Sequence, residues 1–218
     1  MNQPGAAMRP AFLRTPLATF PAYWSWLEWI ESAVTRAECE ALFVLSALTF
    51  GDGCGVEIGS YQGRSALALG YGASLYHRGH VWTIDHHEGD PISGVVPGTW
   101  EILNRHIRQA QLTGAVLPIR ASSILCAAHW TAGPIRLLFL DGWHDAAAVQ
   151  ADVDAWTPHL APDGVLVFHD YGRFGVTEIV EAIKGEYPSR GLVESLAILS
   201  RQELPLLREM RSLCPPSA

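Results

Sequence analysis

Apolar residues recur along this chain in two rhythms. Five runs are apolar at nearly every position: GCGVEIGS (53–60), HVWTIDH (80–86), AVLPIRAS (115–122), PIRLLFLDG (134–142) and GVLVFHDY (164–171). Short runs that are apolar on both faces read as parallel strands held between two layers of helices. Between them lie stretches with helical spacing, at about 63–77, 98–112 and 145–160. The last is the clearest. Ala146, Val149, Val153, Trp156 and Leu160 fall at intervals of three and four, and Asp145 stands where an N-cap belongs.

Upstream, 22–34 (AYWSWLEWIESAV) reads as a helix with Tyr23, Leu27, Ile30 and Val34 on its apolar stripe, and 36–48 reads as a second helix. The first twenty residues, rich in Pro, Ala and Gly, read as a loose arm. The alternation predicts an α/β fold: a doubly wound, mostly parallel Rossmann-like sheet, helices on both faces and a helical N-terminal extension. One domain is expected, with 1–48 its arm and first helices, 49–204 its core and 205–218 a tail.

Composition narrows the partners. The 218 residues are 49% hydrophobic, ample for one core. The formal charge is −7, and a single lysine, Lys184, accompanies fourteen arginines. Nucleic acid is held by neutralising its phosphates, so this balance argues against it and against polyanionic acceptors. Cys39, Cys54, Cys126 and Cys214 show no CxxC pairing and read as reduced thiols of a cytoplasmic protein. The start lacks the pattern of a signal peptide, and no apolar run reaches the ~18 residues that span a bilayer, so no membrane contact is expected.

The polar residues that remain gather at strand ends, where a sheet of this kind binds ligands. The first strand runs into Glu57-Ile-Gly59-Ser60-Tyr61-Gln62-Gly63-Arg64-Ser65, the second into Asp85-His86-His87, and the third into Ala121-Ser122-Ser123. The fourth ends in Asp141-Gly142-Trp143-His144 and the fifth in His169-Asp170-Tyr171. A pyrophosphate site would show GxGxxG. Here Gly59 and Gly63 are four apart and follow an acid, which suits a ligand bearing an amino group and a sulfonium. The helix N-terminus at Gly63-Arg64-Ser65 can take that ligand's carboxylate. Asp85 is placed for both ribose hydroxyls, His86 beside them, and Ser122 and Ser123 for the adenine.

The segments VEIGSYQGRSALAL, TIDHHEGD, LLFLDGWHDAAAVQADVDAW and GVLVFHDYG resemble the successive motifs of class I S-adenosylmethionine-dependent methyltransferases, over roughly residues 50–200. More narrowly they are similar to the metal-dependent sugar O-methyltransferases of the macrocin and mycinamicin type, and within these to the actinobacterial enzymes that methylate mannoside polysaccharide precursors. The resemblance implies S-adenosyl-L-methionine as donor and a small hydroxyl acceptor, a sugar or glycoside. It also implies a divalent metal, Mg²⁺ or Mn²⁺, on Asp141 and Asp170. Those relatives carry an acid where this chain has His169, which is either a third ligand or a group that orients Asp170. His144 falls at the relatives' general base; an imidazole, with an ordinary pKa of ~6.5, can take a hydroxyl proton. Trp143 is expected to pack on the donor. Trp24 and Trp100 read either as sugar platforms or as packing, and the loop 88–99 either as a lid or as surface. A homodimer is the expected assembly. The rival readings are a catechol or phenol O-methyltransferase and a nucleotide-binding module without chemistry.

Overall fold

The computed structural model describes residues 11–49, 53–75, 79–89, 96–173, 175–204 and 207. Two helices open the chain, α1 (Ala11–Leu27) and α2 (Arg36–Thr49). There follow in alternation β1 (Cys54–Ile58), α3 (Arg64–Leu75), β2 (Val81–Asp85), α4 (Trp100–Gln109), β3 (Val116–Arg120) and α5 (Ser123–Ala128). The alternation continues through β4 (Ile135–Leu140), α6 (Ala146–Trp156), β5 (Leu160–Phe168) and α7 (Val176–Ile183), and a hairpin of β6 (Ser189–Val193) and β7 (Leu196–Ser200) comes last. The strands make one sheet in the order β3-β2-β1-β4-β5-β7-β6. β7 runs antiparallel to β5 and to β6, and the other pairings are parallel. This is the doubly wound fold that the alternation predicts.

The two-residue period of the strands divides the core into two layers. Leu137, Phe139, Val165 and Val167 pack with Phe20, Leu27, Leu42, Leu67 and Leu103, from α1 to α4. Their sequence neighbours Leu138, Leu140, Leu166 and Phe168 pack with Val149, Trp156 and Ile179, from α6 and α7. Asp145 caps α6 as expected, its Oδ1 accepting from the Ala148 N–H at 3.0 Å. Among the described residues no helix is long and apolar enough to cross a membrane.

The N-terminal region differs from its expectation. α1 begins at Ala11 rather than 22 and stops at Leu27 rather than 34, so part of the supposed loose arm is helical. Its stripe is Leu17, Phe20, Trp24 and Leu27, which crosses Pro21; reading Pro21 as a boundary hid the first half. Residues 28–34 then turn back, and Ile30 and Val34 are buried without being helical. Their carbonyl groups find another donor. The Arg64 guanidinium donates to the carbonyl oxygens of Val34 at 2.9 Å, Glu28 at 3.3 Å and Ser32 at 3.4 Å, and it lies over the Trp24 ring. Trp24 is therefore a packing residue, and so is Trp100, which meets the ring of His87 edge to face.

The sequence reading also left 175–204 undivided. β7 is wholly buried and shows no alternation, and the turn into it is Glu194-Ser195, with Glu194 at φ +52° in place of the usual Asn-Gly signal.

Helices α2 and α3 approach closely at Gly72. A Cβ there would stand 2.0 Å from Ser46 Oγ and 2.3 Å from the Phe43 carbonyl oxygen, while Ser46 Oγ donates to the Leu69 carbonyl oxygen at 2.7 Å. Gly72→Ala should therefore destabilise the protein by about 1–3 kcal/mol despite alanine's better helix propensity. Urea unfolding would measure it; an unchanged midpoint would contradict the packing.

Candidate active site

Sheet order reverses between β1, which leads outward to β2 and β3, and β4, to which the chain returns. Loops leaving two such strands diverge, and a crevice opens between them. Here the two strand ends touch backbone to backbone. Gly59 has φ +87°, and a Cβ on it would stand 2.1 Å from the Asp141 carbonyl oxygen. Gly63, at φ +96°, lies against Leu103 of α4.

Asp85 cinches this first loop from the neighbouring strand. Its Oδ2 accepts from the backbone N–H groups of Ser60 at 3.0 Å and Tyr61 at 2.9 Å, and its Oδ1 from that of His87 at 2.6 Å. Tyr61 (φ +46°), His87 (φ +59°) and, at the end of β5, Asp170 (φ +59°) are all left-handed without being glycine. Such conformations cost on the order of 1–3 kcal/mol each and persist only where the surroundings hold them. Asp85 holds the first two. The third is held by the bond from the Tyr171 N–H to the Ser195 carbonyl oxygen.

Above the switch point lies a cavity of about 780 Å³. Of the residues singled out in the sequence, Gly59, Ser60, Tyr61, Ser65, Asp85, His86, Ser123, Asp141, Trp143, His144 and Asp170 line it. Glu57, Gly63, Ser122 and His169 do not. Glu57 lies fully buried beneath the loop, its Oε2 accepting from Thr83 Oγ1. The rings of His86 and Trp143 face one another across 6.4 Å. The 90–95 part of the supposed lid lies outside the described residues.

At the β4 and β5 ends three side chains converge. Ligand atoms of Asp141, His144 and Asp170 all lie within 4.8 Å of one another, and His144 Nε2 is 3.0 Å from Asp170 Oδ2. The two carboxylates at this spacing fit a divalent cation with oxygen donors, with the His144 imidazole beside it. His169 stands behind them. Its Nδ1 is 3.0 Å from Asp141 Oδ1 and 3.2 Å from Asp170 Oδ2, and its Nε2 is 3.2 Å from Glu38 Oε2. Both ring nitrogens thus lie close to carboxylates, and His169 stands outside the group of Asp141, His144 and Asp170 whose ligand atoms converge. Burial opposes charge on this ring, but Asp141, Asp170 and Glu38 outweigh it and hold the ring far above its ordinary pKa, as an imidazolium. Burial likewise opposes charge on Asp170, and His144 and His169 hold its carboxyl well below the usual range.

Sequence reasoning missed Glu38 and Asp152. Glu38 had a visible signal, because Thr35-x-x-Glu38 is a capping box: the Thr35 N–H donates to Glu38 Oε2 at 2.9 Å and the Glu38 N–H to Thr35 Oγ1 at 3.3 Å. Asp152 sits beside the apolar stripe of α6, yet it is buried, lines the cavity and accepts from Ser123 Oγ. Glu31, Ser32 and Ala33 also reach the rim, on the segment that Arg64 ties down. The thiols offer little nucleophilicity, since burial pushes Cys39 up to about 12 and Cys54 to about 11.

A doubly wound sheet with a seventh antiparallel strand, a glycine turn at the switch point and an acid closing the second strand defines a class that binds adenosyl ligands. Residues 56–171, more than half of the chain, match the family described as Methyltransferase domain, and the chain belongs to that family. Solved structures share its fold at low identity. The O-methyltransferase NovP is 15% identical, with 79% of this chain and 84% of that one covered and a TM-score of 0.67. An O-methyltransferase from Bacillus cereus in complex with SAH is 18% identical, with coverage of 89% and 93% and a TM-score of 0.57. CalS11, a TDP-rhamnose 3'-O-methyltransferase of calicheamicin biosynthesis, is 15% identical, with coverage of 91% and 89% and a TM-score of 0.57.

Glu57 carries a consequence for stability. Burial lifts its carboxyl from 4.5 to about 8; the Ser65 and Thr83 hydroxyls pull it down, while Asp141 and Asp85 push it up. The folded protein therefore binds this proton more tightly than the unfolded chain. Its contribution is fully present below pH 4.5 and is lost as pH rises through about 8. In ligand-free protein, Glu57→Gln should flatten the fall in melting temperature across that window. A mutant curve parallel to wild type would refute the assignment.

Proposed function

We propose that this protein transfers a methyl group from S-adenosylmethionine to a hydroxyl oxygen of a small acceptor, a sugar or glycoside. One observation carries the reading. A single cavity joins the loop cinched by Asp85 to the cluster of Asp141, His144 and Asp170, so a donor subsite and an acid-base subsite share one space. Family membership supports methyl transfer, and the fold shared with NovP and CalS11 supports oxygen as the acceptor atom.

On the donor side, the Gly59 turn lets the ligand approach the backbone, and the α3 N-terminus faces its carboxylate. Asp85 already accepts three backbone N–H bonds. The same carboxylate stands at the cavity wall, where it can accept from the ribose hydroxyls. Trp143 and His86 flank the ligand, and Ser123, steadied by Asp152, borders the adenine.

On the acceptor side, Asp141 and Asp170 would hold a divalent cation, Mg²⁺ or Mn²⁺. Such an ion supplies Lewis acidity, which lowers the pKa of a bound hydroxyl. His144 lines the same cavity and takes up the hydroxyl proton as the methyl group transfers. The walls hold oxygen, carbon and sulfur in line, and positioning of this kind supplies much of the acceleration.

Calorimetry should show binding of S-adenosylhomocysteine but not of NAD, since the Gly59-to-Gly63 spacing leaves no pyrophosphate cradle. Tight NAD binding with no response to S-adenosylhomocysteine would overturn the donor assignment. EDTA should stop turnover while leaving donor affinity near its starting value, and turnover that survives exhaustive chelation would remove the cation from the reading.

His144→Ala should lower kcat by about 10²–10⁴-fold, the range for a positioned base, with donor affinity unchanged. The rise of rate with pH, as the imidazole loses its proton, should disappear in the mutant. A mutant with most of its activity and the wild-type pH profile would assign the base elsewhere.

A further inference from the structure

We infer that Glu38, on the first turn of α2 and outside the cavity, is a positioning residue for the acid pair. It orients His169, and through that ring it sets the carboxylates of Asp141 and Asp170.

The geometry is a relay with a fixed direction. Four donors converge on the Glu38 carboxylate, which is buried. Oε1 accepts from the Ser195 N–H at 2.9 Å and from Ser195 Oγ at 2.6 Å, and Oε2 accepts from the Thr35 N–H at 2.9 Å and from His169 Nε2 at 3.2 Å. A carboxylate has about four lone-pair positions, so this one is filled. An amide in its place would present two N–H groups to other donors. With Nε2 spent on Glu38, the ring can turn only Nδ1 toward the site. There Nδ1 stands 3.0 Å from Asp141 Oδ1 and 3.2 Å from Asp170 Oδ2, in contact with both carboxylates. Two aspartates at the ends of adjacent strands repel each other, and a ring lodged against both carboxylates fixes their spacing.

Ser195 closes a second path to the same place. Its N–H and hydroxyl bind Glu38, and its carbonyl oxygen accepts from the Tyr171 N–H, next to the left-handed Asp170. Glu38 thus joins α2, the β6–β7 turn and the end of β5. A capping role alone explains the bonds within Thr35-x-x-Glu38. It does not explain the bonds to His169 and Ser195, residues 131 and 157 positions away.

The functional part of this inference rests on the cation reading above, and the test separates the two. Wild type, Glu38→Gln and Thr35→Ala would be titrated with Mn²⁺ alone, read by electron paramagnetic resonance. S-adenosylhomocysteine binding would be followed by calorimetry. Thr35→Ala weakens the α2 cap without touching His169. Glu38→Gln should weaken Mn²⁺ binding by about 10–100-fold, as loss of a partner behind metal ligands typically does. Its S-adenosylhomocysteine affinity should stay within about twofold of wild type, and Thr35→Ala should bind Mn²⁺ normally. Equal Mn²⁺ affinity in Glu38→Gln and wild type, or an equal loss in Thr35→Ala, would overturn the proposal. Should wild type itself take up no Mn²⁺, the cation reading falls and the crystal structure of Glu38→Gln decides. A turned His169 ring with displaced Asp141 and Asp170 carboxylates upholds the relay, and an unmoved cluster refutes it.

Discussion

The central constraint in this molecule is the contact between Gly59 and the carbonyl oxygen of Asp141. The ends of β1 and β4 meet there with no side chain between them, since a Cβ on Gly59 would lie 2.1 Å from that oxygen. The contact is possible because a residue without a side chain tolerates φ +87° at little cost. It puts the first loop and the Asp141-to-His144 turn side by side above the switch point. One half of the cavity is built on the first and the other half on the second. A wider separation would leave two unconnected surfaces instead of one space of about 780 Å³.

Around that contact, buried charge is handled in two ways. Glu57, directly beneath the loop, has hydroxyl neighbours but no cation, and its proton is retained to about pH 8. Glu38 is equally hidden, yet it meets four donors, and despite burial its carboxyl lies at about 2. The difference follows from what each carboxylate faces, not from depth. The first arrangement keeps a neutral group under the donor loop. The second presents a negative carboxylate to His169.

The N-terminal helices are part of the site and not a separate appendage. α2 supplies Glu38, and the segment after α1 supplies Glu31, Ser32 and Ala33 at the rim. Arg64 fastens that segment to the start of α3, one residue beyond the second glycine of the loop. A change in how α1 packs would move the cavity wall, the helix that follows the loop and the first turn of α2 together.

The sequence by itself determined the five parallel strands, their helices and the polar strand ends. Those features follow from local rules: apolar runs bury both faces of a strand, three-four spacing makes a helical stripe, and glycine permits a left-handed turn. Gly59, Asp85, Asp141, His144 and Asp170 were legible as cavity-lining residues because each ends or closely follows a strand whose apolar run announces it. Only the tertiary structure decided which side chains meet. It buried Glu57 beneath the first loop and tied Asp85 to three backbone N–H groups. It put His144 beside Asp170 and lodged His169 between Glu38 and the two aspartates. The extent of α1 and the final hairpin were also hidden, because Pro21 imitates a boundary and β7 has no alternation. Partners such as Glu38 and His169 stand 131 residues apart, and no local periodicity encodes a bond between them. Packing the two helix layers onto one twisted sheet brings them together.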